Sequence, residues 1–292
     1  MFNEVEFEVG GRYRNRLDWY EVLGINGDQL KVRYEKDWRE EILSAKIQER
    51  IITNISREEE VISPILENQE KFFFYLRECN THYRFGHDLR LYRKIIEMHR
   101  ENNELNSLLD KDDFCVVIYD TLEAWNMNQQ GAKLTSFDNF KKSILNHRPD
   151  LVNLYRYKLH SITAHQIGNE ILKLLENVFC GLEVMKSKRR IVGVSKTLHF
   201  LIPDLIMPID GKYTMTYFYG YNKYSDKAQA EFKTFKEIFL ETHKIMKELN
   251  LTQADVDNQD WNTSVPKLID NAIIGFFKHW ENRFKESRKQ NA

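Results

Sequence analysis

The sequence has few cysteines, no long hydrophobic run and no excess of either charge. Three cysteines, Cys79, Cys115 and Cys180, stand far apart among 292 residues, without the paired spacings that bind zinc or iron–sulfur clusters. No stretch approaches the roughly 18 apolar residues that a membrane span requires, and the N-terminus lacks the basic and apolar segments of a signal peptide. We therefore expect a cytoplasmic protein with reduced thiols, no metal, no cofactor and no membrane contact.

The charges balance almost completely. The chain has 43 basic and 44 acidic residues, a formal net charge of −1, so no overall field attracts it to a polyanion and any such site must be a local patch. Hydrophobic residues make up 42% of the chain, enough for a packed core, and there is no low-complexity tract. The length suits two domains.

Residues 1–55 predict short β-strands. β-branched and aromatic residues alternate there between turn signals, and the Asn26-Gly27 pair between WYEVLGI and QLKVRYE is typical of a hairpin turn. Four or five strands in so short a segment resemble an SH3-like or Tudor-like β-barrel. Folds of this kind bind peptides, nucleic acid or a neighbouring domain, so the resemblance implies no single function.

The remainder, 56–292, predicts a mainly α-helical domain. Ser56 with the acidic residues after it is typical of a helix start, and apolar residues then recur at helical spacing. We predict helices at about 88–109, 113–126, 136–147, 150–159, 165–184, 228–250 and 264–286. The chain is thus predicted to be an α+β protein with a small N-terminal barrel.

The segment 186–220 differs from the helices around it. No acidic residue occurs from Val184 to Pro203, whereas five basic residues do: Lys186, Lys188, Arg189, Arg190 and Lys196. The pattern Gly193-Val194-Ser195-Lys196 predicts a tight turn that leads into a short helix with Ser195 as its N-cap. Backbone amides and a helix N-terminus arranged in this way can hold a phosphate.

This segment resembles the helix-hairpin-helix DNA glycosylases. The hairpin of that superfamily matches Ile191 to Thr197, with Ser195 in place of its second glycine, and its essential aspartate matches Asp210 in Pro208-Ile209-Asp210. The resemblance implies that Asp210 stabilises the positive charge of a departing sugar, and that Lys196 can attack C1′ as the lyase members do. It also implies DNA contacts through Lys186, Lys188, Arg189, Arg190, Gly193, Ser195 and Lys212. A flipped base would enter a pocket lined by Trp125, Tyr213, Phe218 and Tyr219.

Each of these residues has a structural interpretation as well. Asp210 is a favoured residue for capping a helix, and Lys196 or the basic run is equally typical of solvated side chains. His199 lies on an apolar stretch and is expected in the core. Trp125 is expected to be a buried anchor rather than a stacking wall.

Two other functions stay open beside the glycosylase. Pro203-Asp204 with Asp210-Gly211-Lys212 is similar to the signature of magnesium-dependent restriction nucleases, in which the carboxylates bind the metal. Asp204 and Asp210 are only six positions apart, however, which is short for the β-hairpin that normally carries these metal ligands. A non-catalytic protein that binds nucleic acid or a partner through the basic segment is the other alternative. We favour a monofunctional DNA glycosylase that acts in repair or in defence against phage DNA. The sequence reveals neither the target base nor the oligomeric state.

Overall fold

The computed structural model describes residues 5–15, 17–53, 55, 68–83, 86–129, 132–219 and 223–290. The chain divides into two compact units, Met1–Pro64 with Met215–Asn222 and Ile65–Thr214 with Lys223–Ala292. Within the described residues, no helix has both the length and the apolar run that crossing a membrane would require. The predicted domain boundary between residues 55 and 56 adjoins residues 56–67, which lie outside the described part, so it stays a prediction.

The first unit contains an antiparallel sheet of four strands in sequential order. They are β1 (Arg12–Arg14), β2 (Trp19–Asn26), β3 (Gln29–Tyr34) and β4 (Glu40–Ser44). Successive side chains of a strand point to opposite faces, and one face forms a small core of Tyr20, Val22, Leu30, Val32 and Tyr34. The predicted hairpin is confirmed, since Asn26 pairs with Gln29 across the turn and Gly27 has a φ of 56°.

The predicted SH3-like or Tudor-like barrel is wrong, because the sheet is open. In the part of the unit that the structure describes, β1 pairs only with β2 and β4 only with β3. After β4 the chain enters a helix, α1, over 45–53, instead of a strand that could return to β1. Asp28 favours this helix start, because its carboxylate accepts hydrogen bonds from Ser44 Oγ (2.8 Å) and Lys46 N (3.0 Å). The alternation of apolar and polar residues along a strand shows only that one face of the sheet is buried. An open sheet and a closed barrel both have such a face, so the pattern does not distinguish them.

The second unit is helical, which confirms the α+β class. Its helices are α2 (Gln69–His82), α3 (His87–Glu101), α4 (Leu105–Leu109), α5 (Asp112–Ala124), α6 (Phe137–Asn146), α7 (Arg148–Tyr155), α8 (Ala164–Gln166), α9 (Leu172–Gly181), α10 (Ile191–Leu201), α12 (Ala228–Glu248) and α13 (Val265–Gln290). A further helix, α11 (Thr214–Tyr219), belongs to the first unit from Met215 onwards. A π-helical turn, Ile167–Ile171, joins α8 to α9.

Most predicted helices of this unit are confirmed within a few residues. The segment predicted as one helix over 88–109 is divided into α3 and α4, because Asn102 adopts an extended conformation at the end of α3. The last helix buries one apolar face, formed by Val265, Leu268, Ile269, Ala272, Ile273 and Phe276.

Helix α13 packs closely against α2. A Cβ atom on Gly275 would lie 1.8 Å from the backbone oxygen of Tyr75, so only glycine allows this approach of the two backbones. Phe276 and Tyr75 then pack edge to face, with ring centroids 5.3 Å apart. This contact fixes the position of the first turns of α13, which carry charged residues of the site.

The predicted hairpin at residues 191–197 is wrong, because Gly193 and Ser195 lie inside α10. Helix α10 begins at Ile191, and Arg190 N donates to a carboxylate oxygen of Glu231 (3.0 Å) just before it. Gly193 serves a close contact instead of a turn, since a Cβ there would lie 2.3 Å from Met185 Sδ. Ser195 Oγ donates to Val192 O and accepts from Ile209 N. Both residues are buried and cannot contact DNA as predicted.

Candidate functional site

A pocket in the helical unit brings together residues from five parts of the chain. It encloses about 180 Å³, more than the roughly 150 Å³ cavity that holds benzene in an engineered protein, so one planar ring fits inside. Its lining comes from the end of α2, the start of α3, the end of α5, helix α10 with the turn after it, and α13 together with Trp261 in the loop before it. The lining residues include Cys79, Tyr83, Asp88, Trp125, Asn126, Lys196, Ile209, Asp210, Tyr213, Trp261, Lys267, Asp270 and Asn271.

Asp210 uses its two carboxylate oxygens differently. Oδ1 accepts hydrogen bonds from the backbone amides of Lys212 (2.7 Å) and Tyr213 (3.1 Å), while Asp210 N donates to Thr214 Oγ1 (2.9 Å). Oδ2 lies 3.7 Å from Lys196 Nζ inside the pocket. The structural and the chemical interpretations of Asp210 are therefore compatible, because one oxygen caps the turn and the other faces a buried lysine.

Lys196 lies in the middle of a helix that is buried along its whole length. Its ammonium group is 5.4 Å from the centroid of the Trp125 ring, on the ring face, where a cation is attracted to the π-electrons. Burial lowers the pKa of Lys196, and the neighbouring charge of Asp210 opposes that shift only in part. A buried lysine with a lowered pKa is a stronger nucleophile than a solvated one.

A second Lys–Asp pair, Lys267 and Asp270, lines the same pocket. Both side chains are 4% exposed, and Lys267 Nζ donates to Asp270 Oδ2 within one turn of α13. Lys267 Nζ also lies over the rings of Trp125 (5.6 Å) and Trp261 (5.3 Å). We did not predict this pair, although two opposite charges three residues apart on an apolar helix face are a signal for it.

The edge of the pocket carries tyrosines and lysines. Tyr213 OH is 3.3 Å from Tyr83 OH and 3.4 Å from Lys212 Nζ, and Lys278 Nζ lies 5.5 Å from the centroid of each tyrosine ring. Burial, followed by the hydrogen bond with Tyr213, raises the pKa of Tyr83 to about 12. The Tyr83 hydroxyl group is therefore neutral at physiological pH and can donate a hydrogen bond.

Two of the four aromatic residues predicted to line a base pocket lie in this pocket. Trp125 and Tyr213 line it, whereas Phe218 and Tyr219 are not among its lining residues; both are buried and belong to the first unit. The Lys196 and Lys267 ammonium groups lie over the ring of Trp125. That these side chains receive a flipped base stays a prediction.

The predicted basic patch does not form a single surface. Lys186, Lys188 and Arg189 are exposed in the loop before α10, and none of them lines the pocket. Arg190 is half-buried, and its guanidinium donates to the carbonyl oxygens of Cys180 (2.7 Å) and Leu182 (3.3 Å). Arg190 thus holds the end of α9 against the start of α10, whereas Arg189 pairs with Asp226 at 3.8 Å and Lys186 and Lys188 are exposed.

His199 is a core residue, as predicted. Its ring is fully buried, with Nδ1 2.7 Å from Ile206 O and Nε2 3.0 Å from Tyr92 OH. Burial lowers its pKa to about 3, so the ring is neutral. A neutral ring donates from Nδ1 to the carbonyl and accepts from the hydroxyl, which satisfies both nitrogens.

The carboxylates of the alternative nuclease signature face different pockets. Asp204 lines a separate pocket between α3, α4 and α7, where its Oδ2 lies 3.4 Å from Lys158 Nζ, while Asp210 lines the pocket with Lys196. Among the residues that the structure describes, no group of three His, Cys, Asp or Glu side chains could hold a metal ion. The two aspartates therefore do not form one magnesium site.

No family model, curated protein or solved structure matches this chain. The residues of the pocket and their geometry are accordingly the basis for a proposed function.

Proposed function

We propose that the protein is a DNA N-glycosylase, which excises a modified or damaged base in this pocket. The observation that carries the proposal is that Asp210 and Lys196, 14 positions apart in the sequence, meet in one ring-sized pocket. Trp125 and Tyr213 line the same space. A carboxylate can stabilise the positive charge that develops on the sugar, an amine can act as the nucleophile, and aromatic side chains can stack on a flipped base.

Asp210 is the group that stabilises the transition state. As the base departs with the bonding electrons, positive charge develops on C1′ and the ring oxygen of the sugar, and a nearby carboxylate lowers the energy of that charge. The two backbone amides at Oδ1 hold the side chain in place, so Oδ2 needs little reorganisation when a substrate enters. A preorganised charge of this kind contributes about 3–4 kcal/mol to catalysis.

Lys196 supplies a nucleophile to the same reaction. Its amine forms a bond to C1′ while the C1′–N bond breaks towards the base. One amine proton passes through Asp210 Oδ2 to the departing base. The second moves to the ring oxygen as the C1′–O bond breaks, which leaves a Schiff base between C1′ and the lysine nitrogen. The sequence favours a monofunctional enzyme, but the pocket favours this covalent route, because the amine is buried beside a carboxylate and has a lowered pKa.

Contacts with the DNA backbone would come from lysines and one arginine. Lys212 lies at the edge of the pocket, and Lys188 and Arg189 are exposed before α10. Replacing Lys188 and Arg189 with Ala should weaken DNA binding and reduce the slope of log affinity against log salt by about one unit for each lost phosphate contact. An unchanged slope would place these residues away from DNA.

The decisive test is the formation of abasic sites. Duplexes that each carry one oxidised, alkylated or deaminated base are incubated with the protein, with and without a magnesium chelator, and treated with alkali to cut at abasic sites. We expect cleavage at one modified position that the chelator does not reduce. Binding without base release would support the non-catalytic alternative, and cleavage that needs magnesium would support the nuclease.

The covalent step has its own test. Borohydride reduces a Schiff base to a stable amine, so reduction during the reaction should trap a protein–DNA adduct, and peptide mapping should place it on Lys196. The Lys196→Met variant should give no adduct. Base release by the wild-type protein without any adduct would establish the monofunctional route, with water as the nucleophile.

A further inference from the structure

A second pocket lies between α3, α4 and α7, and the function proposed above does not use it. It encloses about 670 Å³, which falls within the roughly 300–1,000 Å³ that small-molecule sites occupy. The turns after α7 and α10 and the loop before α13 complete its lining. Among the described residues, none lines both this pocket and the pocket that contains Lys196. The two pockets are therefore separate sites.

The floor of the second pocket is mainly apolar and includes one fixed aromatic ring. Its buried apolar residues are Ile96, Leu105, Ile202 and Pro203. Tyr155 and His99 also line it; their rings stack with centroids 5.6 Å apart, and Tyr155 OH lies 3.1 Å from His99 Nδ1. Burial lowers the pKa of His99, so its neutral ring donates from Nε2 to Phe200 O (2.8 Å) and accepts from Tyr155. A floor of this kind suits a flat ring.

The rim of the pocket carries more positive than negative charge. Its charged lining residues are Arg100, Glu104, Arg156, Lys158 and Asp204. Lys158 Nζ lies 3.4 Å from Asp204 Oδ2, and these two charges offset each other. Among the lining residues this leaves two guanidinium groups and one carboxylate, in a protein with a formal net charge of −1. The rim therefore favours an anionic ligand, and guanidinium groups suit phosphate because their planar N–H donors match its oxygens.

Both arginines are oriented by neighbouring side chains. Arg156 Nη2 donates to Tyr157 OH (3.0 Å), and the guanidinium carbon is 5.0 Å from the centroid of the Tyr157 ring. Glu170 Oε2 accepts from Tyr157 OH and lies 3.6 Å from Arg156 Nη2, so it attracts the guanidinium without a close hydrogen bond. Glu170 belongs to the π-helical turn between α8 and α9, a type of turn that is frequent at functional sites. Arg100 Nη2 donates to Asn258 Oδ1. These contacts involve one nitrogen of each arginine, and a guanidinium has five N–H donors, so each arginine can also bind a ligand oxygen.

We propose that this pocket binds a free nucleoside monophosphate, with the base on the apolar floor and the phosphate against Arg156. The floor suits a flat ring, the rim suits an anion, and the amides of Asn103 and Asn106 in the lining can bind hydroxyl groups. A nucleoside monophosphate combines a flat base, sugar hydroxyl groups and a phosphate in one molecule. A nucleotide within a DNA strand has the same groups, so the experiment compares the two. The inference does not depend on base excision, because none of these residues lines the pocket of Lys196.

The experiment is a calorimetric titration of the full-length protein. The ligands are the nucleoside 5′-monophosphates, the corresponding nucleosides, ribose 5-phosphate and a short single strand of DNA. We expect one nucleoside monophosphate to bind at least roughly tenfold more tightly than its nucleoside, because hydrogen bonds to a charged group are strong. Arg156→Gln should weaken binding of that nucleotide by roughly tenfold and leave the affinity for the nucleoside unchanged. Val152→Trp, which places a large ring in the pocket, should abolish binding of both.

Arg39→Gln is the matched control. The Arg39 side chain is 51% exposed and that of Arg156 is 61% exposed, and each faces a glutamate, at 3.5 Å and 3.6 Å respectively. Each guanidinium also lies over a tyrosine ring, at 5.2 Å and 5.0 Å from the centroid. Arg39 belongs to the first unit and does not line the pocket, so its variant should bind the nucleotide like the wild-type protein. Should Val152→Trp fail to fold, the two arginine variants still test the site.

Four results would overturn the inference. They are the absence of binding by any nucleoside monophosphate at millimolar concentration, equal losses in Arg156→Gln and Arg39→Gln, and binding of ribose 5-phosphate as tight as that of the nucleotide. The fourth is tighter binding of the DNA strand with a loss in Arg156→Gln, which would make the pocket a strand contact. Base release is not measured, so the result is independent of the glycosylase proposal.

Discussion

Replacing Asp210 with Asn changes one charge and little else. Asn keeps an oxygen that can accept from the amides of Lys212 and Tyr213, so the turn after α10 should survive. The group that faces Lys196 Nζ at 3.7 Å becomes an uncharged amide. The variant therefore separates the capping role of Asp210 from its electrostatic role.

The expected loss follows from the mechanism. If the carboxylate contributes about 3–4 kcal/mol to the transition state, base excision by Asp210→Asn should be slower by two to three orders of magnitude, since about 1.4 kcal/mol corresponds to a factor of ten. The melting temperature should change little. In Asp210→Ala the cap is lost as well, and the free energy of unfolding should fall by about 1 kcal/mol.

Asp204→Asn is the matched control for this experiment. Asp204 is 38% exposed and Asp210 is 34% exposed, and each faces a lysine, at 3.4 Å and 3.7 Å respectively. The two variants thus remove the same charge at similar exposure in different pockets, but Asp204 faces an exposed lysine and Asp210 a buried one. Single-turnover release of base from duplex DNA is the assay. Full activity of folded Asp210→Asn, or equal losses in both variants, would refute the assigned role of Asp210.

Three further predictions concern stability. Lys196→Met should raise the free energy of unfolding at pH 7, because burial lowers the pKa of Lys196 in the folded protein and so disfavours folding at pH values below 10.5. The gain should shrink as pH rises towards 10.5, where the unfolded lysine loses its proton, and a gain independent of pH would contradict this reasoning. Burial lowers the pKa of His199 from 6.5 to about 3. The free energy of unfolding should therefore fall by about 1.4 kcal/mol for each pH unit between 6.5 and 3, because the unfolded histidine binds a proton there and the folded one does not. Chemical unfolding of His199→Gln should show a smaller fall over the same pH range. Gly275→Ala should destabilise by at least 1–3 kcal/mol, since its Cβ would meet a backbone oxygen at 1.8 Å, whereas Gly168→Ala, with no atom within 4 Å, should be neutral or stabilising in thermal melts.

Local patterns determined much of this protein. Helical spacing predicted the bounds of α5, α6, α12 and α13 to within a few residues, because a helix with one buried face has apolar residues that recur every three or four positions. The turn at Gly27 and the cap at Asp210 follow from short-range backbone chemistry in the same way. The resemblance to the helix-hairpin-helix DNA glycosylases singled out Asp210, Lys196, Trp125 and Tyr213 as candidate site residues, and the structure brings all four to one pocket.

Only the tertiary structure decided how those segments meet. Gly193 is typical of a turn in the sequence, but it lies inside α10, where its missing side chain leaves room for Met185. The sheet has open edges because the chain does not return to β1 after β4. The alternation of apolar and polar residues gives no information about that path. Lys267 and Asp270 lie in the site because α13 packs against the helices that form the rest of the pocket. Whether a buried charge is compensated depends on distances in space, which spacing along the chain does not give.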